Sequence, residues 1–129
     1  MKWVIAFHEA FEPEFDALPA EVQDECYAEL AFVEMFGPAT GRPHVDTLKG
    51  SDYPNMKELR FEAADGEWRL AFAFDPARQA ILLVAGDKTG GGEKRFYKRL
   101  IATADARFAA HLVRLKDEDN KPKAKRTRR

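Results

Sequence analysis

With 129 residues, 45% of them hydrophobic and 12% aromatic, the chain can build one compact domain around a single core of moderate size and is too short for two. A formal charge of −1 and a single cysteine, Cys26, exclude an internal disulfide and a cysteine-based zinc site. Only five apolar residues, Trp3 to Phe7, follow Met1-Lys2 before His8 and Glu9, too few for a signal-peptide core or a membrane span, so the expected location is the cytoplasm.

Trp3 to Phe7, β-branched and aromatic, predicts a strand, and Phe11, Phe15 and Leu18 then recur at helical spacing up to Pro19. From Pro19 a second helix is predicted on the stripe Val22, Cys26, Leu30 and Val33, stopped after Phe36 by Gly37-Pro38. In that stripe Cys26 reads as a packing residue. Residues 38–55, with their scattered Gly and Pro, predict a long ordered loop over the domain surface.

Three strands follow as a meander: Met56 to Ala63, Glu67 to Asp75 and Gln79 to Asp87, with turns at Asp65-Gly66 and Asp75-Pro76. Alternation puts Leu59 and Phe61, and then Trp68, Leu70, Phe72 and Phe74, on the core face. Arg60 and Arg69 then share the opposite face, where Ala71 and Ala73 leave room above the sheet. The run from Ile81 to Ala85 is apolar on both faces and predicts a central strand. Gly90-Gly91-Gly92 leads into a last helix, about Glu93 to Lys116, with the apolar stripe Phe96, Leu100, Ala104, Phe108 and Leu112. The predicted fold is α+β in the order βααβββα: a mainly antiparallel twisted sheet with an N-terminal helical hairpin and a C-terminal helix. It fills residues 1–116, and residues 117–129 read as a basic, disordered tail.

The small net charge hides a separation. Residues 3–41 hold no Lys or Arg and nine acids: Glu9, Glu12, Glu14, Asp16, Glu21, Asp24, Glu25, Glu29 and Glu34. Residues 88–99 hold Lys88, Lys94, Arg95, Lys98 and Arg99 against Glu93 alone, and residues 121–129 add six more cations. Such polarity orients a polyanion onto one face in a salt-dependent way; two solvated faces of opposite sign are the plainer alternative.

Val45-Asp46-Thr47-Leu48-Lys49-Gly50, Met56-Lys57-Glu58-Leu59-Arg60, Gly66-Glu67-Trp68-Arg69-Leu70-Ala71-Phe72, and Ile81-Leu82-Leu83-Val84 ahead of Gly86-Asp87-Lys88 together resemble the RelE/ParE toxin superfamily, and its phage-derived HigB-like branch in particular. The resemblance spans about residues 3–115. It implies a toxin held by an antitoxin, of helix-turn-helix type in this branch, that cuts messenger RNA in the ribosomal A site without a metal or other cofactor.

Metal-free cleavage needs a base for the ribose 2′-hydroxyl, cations for the charge growing on the phosphate, and an acid for the leaving 5′-oxygen. Arg60 and Arg69 are the expected phosphate-gripping pair, since the resemblance places an arginine on the strand of Arg69; surface arginines paired to Glu58 or Glu62 are the alternative. Lys88 and Tyr97 complete the expected catalytic set. Lys49, Lys57, Lys94, Arg95 and Lys98 are expected to bind RNA, although alternation turns Lys57 toward the Leu59 side. Several HigB-like enzymes use histidines that His8, His44 and His111 do not match: His44 suits a loop hydrogen bond, His111 a helix surface and His8 a strand end. The general acid is therefore open. So are two other functions, a gyrase poison of the same fold and a non-catalytic RNA-binding protein.

Overall fold

The chain alternates a strand, two helices, four strands and a helix, and the computed structural model describes residues 2–119. The elements are β1 (Val4–Phe7), α1 (Glu12–Asp16), α2 (Ala20–Phe36), a single 3-10 turn (Gly37–Ala39), β2 (Val45–Thr47), β3 (Met56–Ala63), β4 (Gly66–Phe74), β5 (Gln79–Asp87) and α3 (Glu93–Asp119). The five strands form one sheet in the order β1-β5-β4-β3-β2. β1 runs parallel to β5, and every other neighbour is antiparallel.

Local sequence explains most of these boundaries. α1 is a single turn with Pro13 at its start, and it exists to bury Phe15 beside Phe11. α2 begins right after Pro19 and buries the expected Val22, Cys26, Leu30 and Val33. Burial pushes the Cys26 thiol up to about 12, which makes it an inert packing group. The hairpin joining β3 to β4 turns on Ala64 and Asp65, both with positive φ, so the turn lies one residue before the expected Asp65-Gly66 pair. Gly66 instead opens β4, where an added Cβ would lie 2.5 Å from the Asp87 carboxylate that caps the turn region.

Five expectations need correction. The loop over residues 38–55 contains a fifth strand: Val45 is buried and pairs with Leu59, so β2 extends the sheet beyond β3. Three residues are too few to show a period, which is why the pattern hid it. The sheet face above Ala71 and Ala73 is not open, because these small side chains admit α3, whose Leu100, Ala104 and Phe108 pack onto them. The last helix runs on through Asp119, past Lys116, since the first helix breaker in the sequence is Pro122. Thus 117–119 are helical and not tail, while 120–129 lie outside the described residues.

The single expected core is divided by the sheet. On one face Leu59, Phe61, Leu70, Phe72 and Phe74 pack against Phe11, Phe15 and the buried stripe of α2. On the other, Met56, Ala71, Ala73, Ile81 and Leu83 meet α3. β5, expected to be central, is an interior strand between β1 and β4, and β4 holds the middle. Among the described residues no helix is long and apolar enough to cross a membrane.

His111, expected on the helix surface, is the fifth correction. It is buried, and its Nε2 lies 2.7 Å from Asp75 Oδ2, tying α3 to the end of β4. Asp75 also accepts from the Gln79 amide at 2.9 Å. The loop before β3 is held to the same helix, with Ser51 Oγ donating to Asp105 Oδ1 at 2.5 Å and the Asp52 amide to Oδ2 at 2.9 Å.

Candidate active site

Antiparallel pairing sets Arg60 of β3 directly across from Arg69 of β4. Two like charges in such register repel unless an anion lies between them, and Glu58, two residues before Arg60 on the same face, supplies it. Its Oε2 is 3.6 Å from Arg60 Nη1 and its Oε1 is 3.7 Å from Arg69 Nε. Tyr97, from the first turns of α3, donates its hydroxyl to Glu58 Oε1 at 2.7 Å and accepts from Arg69 Nε at 3.3 Å. Burial, and then the bond to Glu58, pushes the Tyr97 hydroxyl above the ordinary tyrosine range, so it keeps its proton at neutral pH.

The two arginines are not equivalent. Arg69 is 6% exposed along its side chain and spends Nη1 on its neighbour, the Trp68 carbonyl, at 2.9 Å. Arg60 is 35% exposed and reaches Glu58 and, at 3.9 Å, Asp46 of β2. Bonds from Arg42 and the Thr47 amide hold the Asp46 carboxyl below the usual aspartate range. The expected open face carrying both arginines is thus half right: Arg60 borders open space and Arg69 lies under Tyr97, because α3 covers the sheet from Ala71 onward.

That open space is a cleft of about 380 Å³ between β2, β3 and the start of α3. Arg60, Glu58, Tyr97, Lys88, Lys49 and Asp46 all face it. Lys88 donates to Glu93 at 3.1 Å and stands 6.0 Å from the centre of the Tyr97 ring. Of the remaining expected residues, Lys57 faces elsewhere: it lines a separate cavity with Tyr53 and Phe74, in keeping with alternation. The irregularity that shifts the sheet register falls between β4 and β5, so nothing turns Lys57 back. Lys94 and Lys98 are exposed outside the cleft, and Arg95 lines a different cavity on the far flank of α3.

Glu58 is the residue that sequence reasoning named only as an ion partner. The signal was present: an acid two residues from Arg60 on the same face of one strand lies diagonally across from Arg69 on the next, within reach of both cations. His44 bonds Glu29 of α2 at 2.6 Å and stacks on Phe32, so it pins the loop, as expected, and does not enter the cleft. His8, buried at the end of β1, accepts from the Ala10 amide at 3.0 Å.

As chemistry, the cleft offers a carboxylate and a protonated phenol in contact, with the partly buried Arg60 and Lys88 also lining it. That combination can accept one proton, donate another and hold an anion between.

Residues 13–109 match the family described as "Phage derived protein Gp49-like". The chain is 44% identical over 115 residues to the Mycobacterium tuberculosis (strain ATCC 25618 / H37Rv) toxin candidate HigB2, covering 88% of this chain and 56% of that protein. It is 47% identical over 93 residues to the toxin candidate HigB3 of the same organism, covering 72% of this chain and 79% of that one. The chain thus spans little more than half the length of the first of these relatives. Among solved structures, a mutant of the E. coli toxin RelE in the free state superposes with a TM-score of 0.57 at 14% identity, over 79% of this chain and 96% of that one, a likeness of fold.

Proposed function

The chain belongs to the phage-derived Gp49-like family and is of the RelE/HigB toxin type, and on that premise we propose that it is a ribosome-dependent endonuclease that cuts messenger RNA by side-chain acid–base chemistry. The observation that carries this reading is the contact of Glu58 with Tyr97 and both arginines at the wall of a cleft that also holds Lys88.

The steps balance as a transesterification. Glu58 takes the proton of the ribose 2′-hydroxyl, and the 2′-oxygen bonds to phosphorus. Arg60 and Lys88 stabilise the charge that grows on the phosphate oxygens. Tyr97 gives its proton to the departing 5′-oxygen, leaving a 2′,3′-cyclic phosphate. The proton on Glu58 then returns to Tyr97 across their 2.7 Å contact and restores both groups. Arg69 touches Glu58 and Tyr97 from beneath and holds their relative position. A partner segment that covers Arg60, Lys49 and Lys88 would close the cleft, in keeping with an antitoxin of helix-turn-helix type as the partner and the cytoplasm as the location.

Primer extension on cellular transcripts after brief induction tests the reading. The wild-type protein is expected to produce discrete cuts within translated codons, and Arg69→Ala to abolish them while still binding antitoxin. Intact messages accompanied by gyrase trapped on broken DNA would sink it. RNA binding with no cleavage by the wild type would sink it equally, in favour of a non-catalytic binder.

A further inference from the structure

On the far flank of α3 lies a second cavity, of about 350 Å³, which the cleavage chemistry does not use. Its floor is the end of β5, Val84 to Gly86, and its wall is Phe96 and Leu100. Its rim carries Arg95 and Arg99, one helical turn apart and both exposed. Among the described residues neither guanidinium has an ion-pair or hydrogen-bond partner, whereas Arg42, Arg60, Arg69, Arg107 and Arg114 do and Arg78 lies over the Trp3 ring at 4.5 Å. Two idle planar cations above an apolar, ring-walled floor form a surface with an unmet charge and an unmet stacking partner.

The position of this cavity suggests its occupant. Phe96 walls it, while the next residue, Tyr97, walls the cleft, and their ring centres are 5.2 Å apart at 82°. The two spaces therefore stand back to back across one pair of rings. Gly86 permits this: an added Cβ would come within 2.9 Å of Phe96 Cε1, so only glycine lets the ring lie down on β5. Gly86 is also the cross-strand neighbour of Arg69, which fixes the wall to the catalytic quartet.

We propose that this cavity receives an unstacked nucleotide of the message adjacent to the one cut, its base against Phe96 and Leu100 and its phosphate on Arg95 and Arg99. Aromatic faces and guanidinium planes are the groups that hold splayed-out bases, and the pairing of apolar floor with free arginines fits a base and its phosphate together. The inference rests on the endonuclease reading and adds a subsite to it.

The test uses full-length protein and ribosomes programmed with a message whose A-site codon is 2′-O-methylated, so that it binds uncut, and which carries one 4-thiouridine beside that codon. Wild type is expected to photo-crosslink within residues 93–103. Arg95→Ala with Arg99→Ala should weaken binding about tenfold, and Thr103→Phe, which fills the cavity from its wall, should remove the crosslink. If wild type binds and both variants bind and crosslink as it does, the subsite is wrong and the endonuclease reading stands. Loss of antitoxin affinity alone in the variants, with message binding intact, overturns it in favour of a protein-docking face. If wild type fails to bind programmed ribosomes at all, the endonuclease reading falls and the subsite with it.

Discussion

Glu58 is buried and contacts three partners, Arg60, Arg69 and the Tyr97 hydroxyl. Removing the charge while keeping the shape separates its catalytic part from its structural one. Glu58→Gln is expected to lower single-turnover cleavage by about 10²- to 10⁴-fold, the range for loss of a positioned base, measured at equal folded fraction because it also removes the anion between two arginines. Tyr97→Phe removes the proton that goes to the 5′-oxygen and should cost a similar factor. A substrate with an activated 5′-leaving group needs no such proton, so it should recover most of the rate with Tyr97→Phe and none with Glu58→Gln. Equal recovery in both variants would contradict the assignment of base and acid. The arginine pair was legible in the sequence because β alternation is a strict geometric rule. Their inequality was not, because it depends on how closely α3 approaches over Ala71 and Ala73, a tertiary distance that no local pattern encodes.

Between elements, the joints are made by buried polar groups. His8 accepts a hydrogen bond from the Ala10 amide where β1 hands over to α1, which only the ring without a proton on Nδ1 can do. Burial first, then Arg107 and Arg114, push its pKa below the ordinary value, against a small opposing effect of Glu9. The folded protein therefore prefers the neutral ring, and this stability is whole above about pH 6.5 and lost as pH falls through the depressed folded value. Chemical denaturation between pH 7.5 and 5 is expected to show that decline in wild type and a flatter profile in His8→Asn, whose amide oxygen can accept the same bond. Identical slopes would show that the joint does not titrate. The Asp75–His111 pair joins β4 to α3, and the Asp75 side chain is 0% exposed. His111→Ala leaves that carboxylate without its ring and should destabilise by about 3 kcal/mol, read as a shift in the denaturation midpoint. Helix and strand periods revealed α2, β3, β4 and α3 because each is long enough to repeat, and a continuous apolar run revealed β5. They missed β2, which owes its existence to pairing with β3, and misplaced His111, whose polar character argued for solvent while Asp75 offered it a partner 36 residues away.

Across the whole molecule, the sheet separates much of the charge as well as the cores, with two bridges at its edge, where Glu14 of α1 and Glu9 pair with Arg107 and Arg114 of α3 at 2.6 and 2.7 Å. α1 and α2, which contain acids and no Lys or Arg, cover one face, and α3 with exposed Lys94, Arg95, Lys98 and Arg99 covers the other. The polarity read from the chain thus becomes largely a polarity of faces, with the acids of α2 on the side of the sheet away from Lys94, Arg95, Lys98 and Arg99. A polyanion approaching the α3 face feels the cations there and little of the acids behind the sheet. On the endonuclease reading, affinity for programmed ribosomes should fall with salt, and Lys94→Glu with Lys98→Glu should weaken binding and flatten that dependence by up to about 0.7 in log–log slope for each phosphate no longer neutralised. Glu12→Gln with Asp24→Asn, two exposed acids on the opposite side, should leave both affinity and slope nearly unchanged. A change of similar size from the acid substitutions would mean that the protein responds as one averaged charge, and the sheet would then carry no electrostatic division. The measurement is a titration at several salt concentrations with each variant at equal folded fraction, so that the slope reports phosphate neutralisation and not stability.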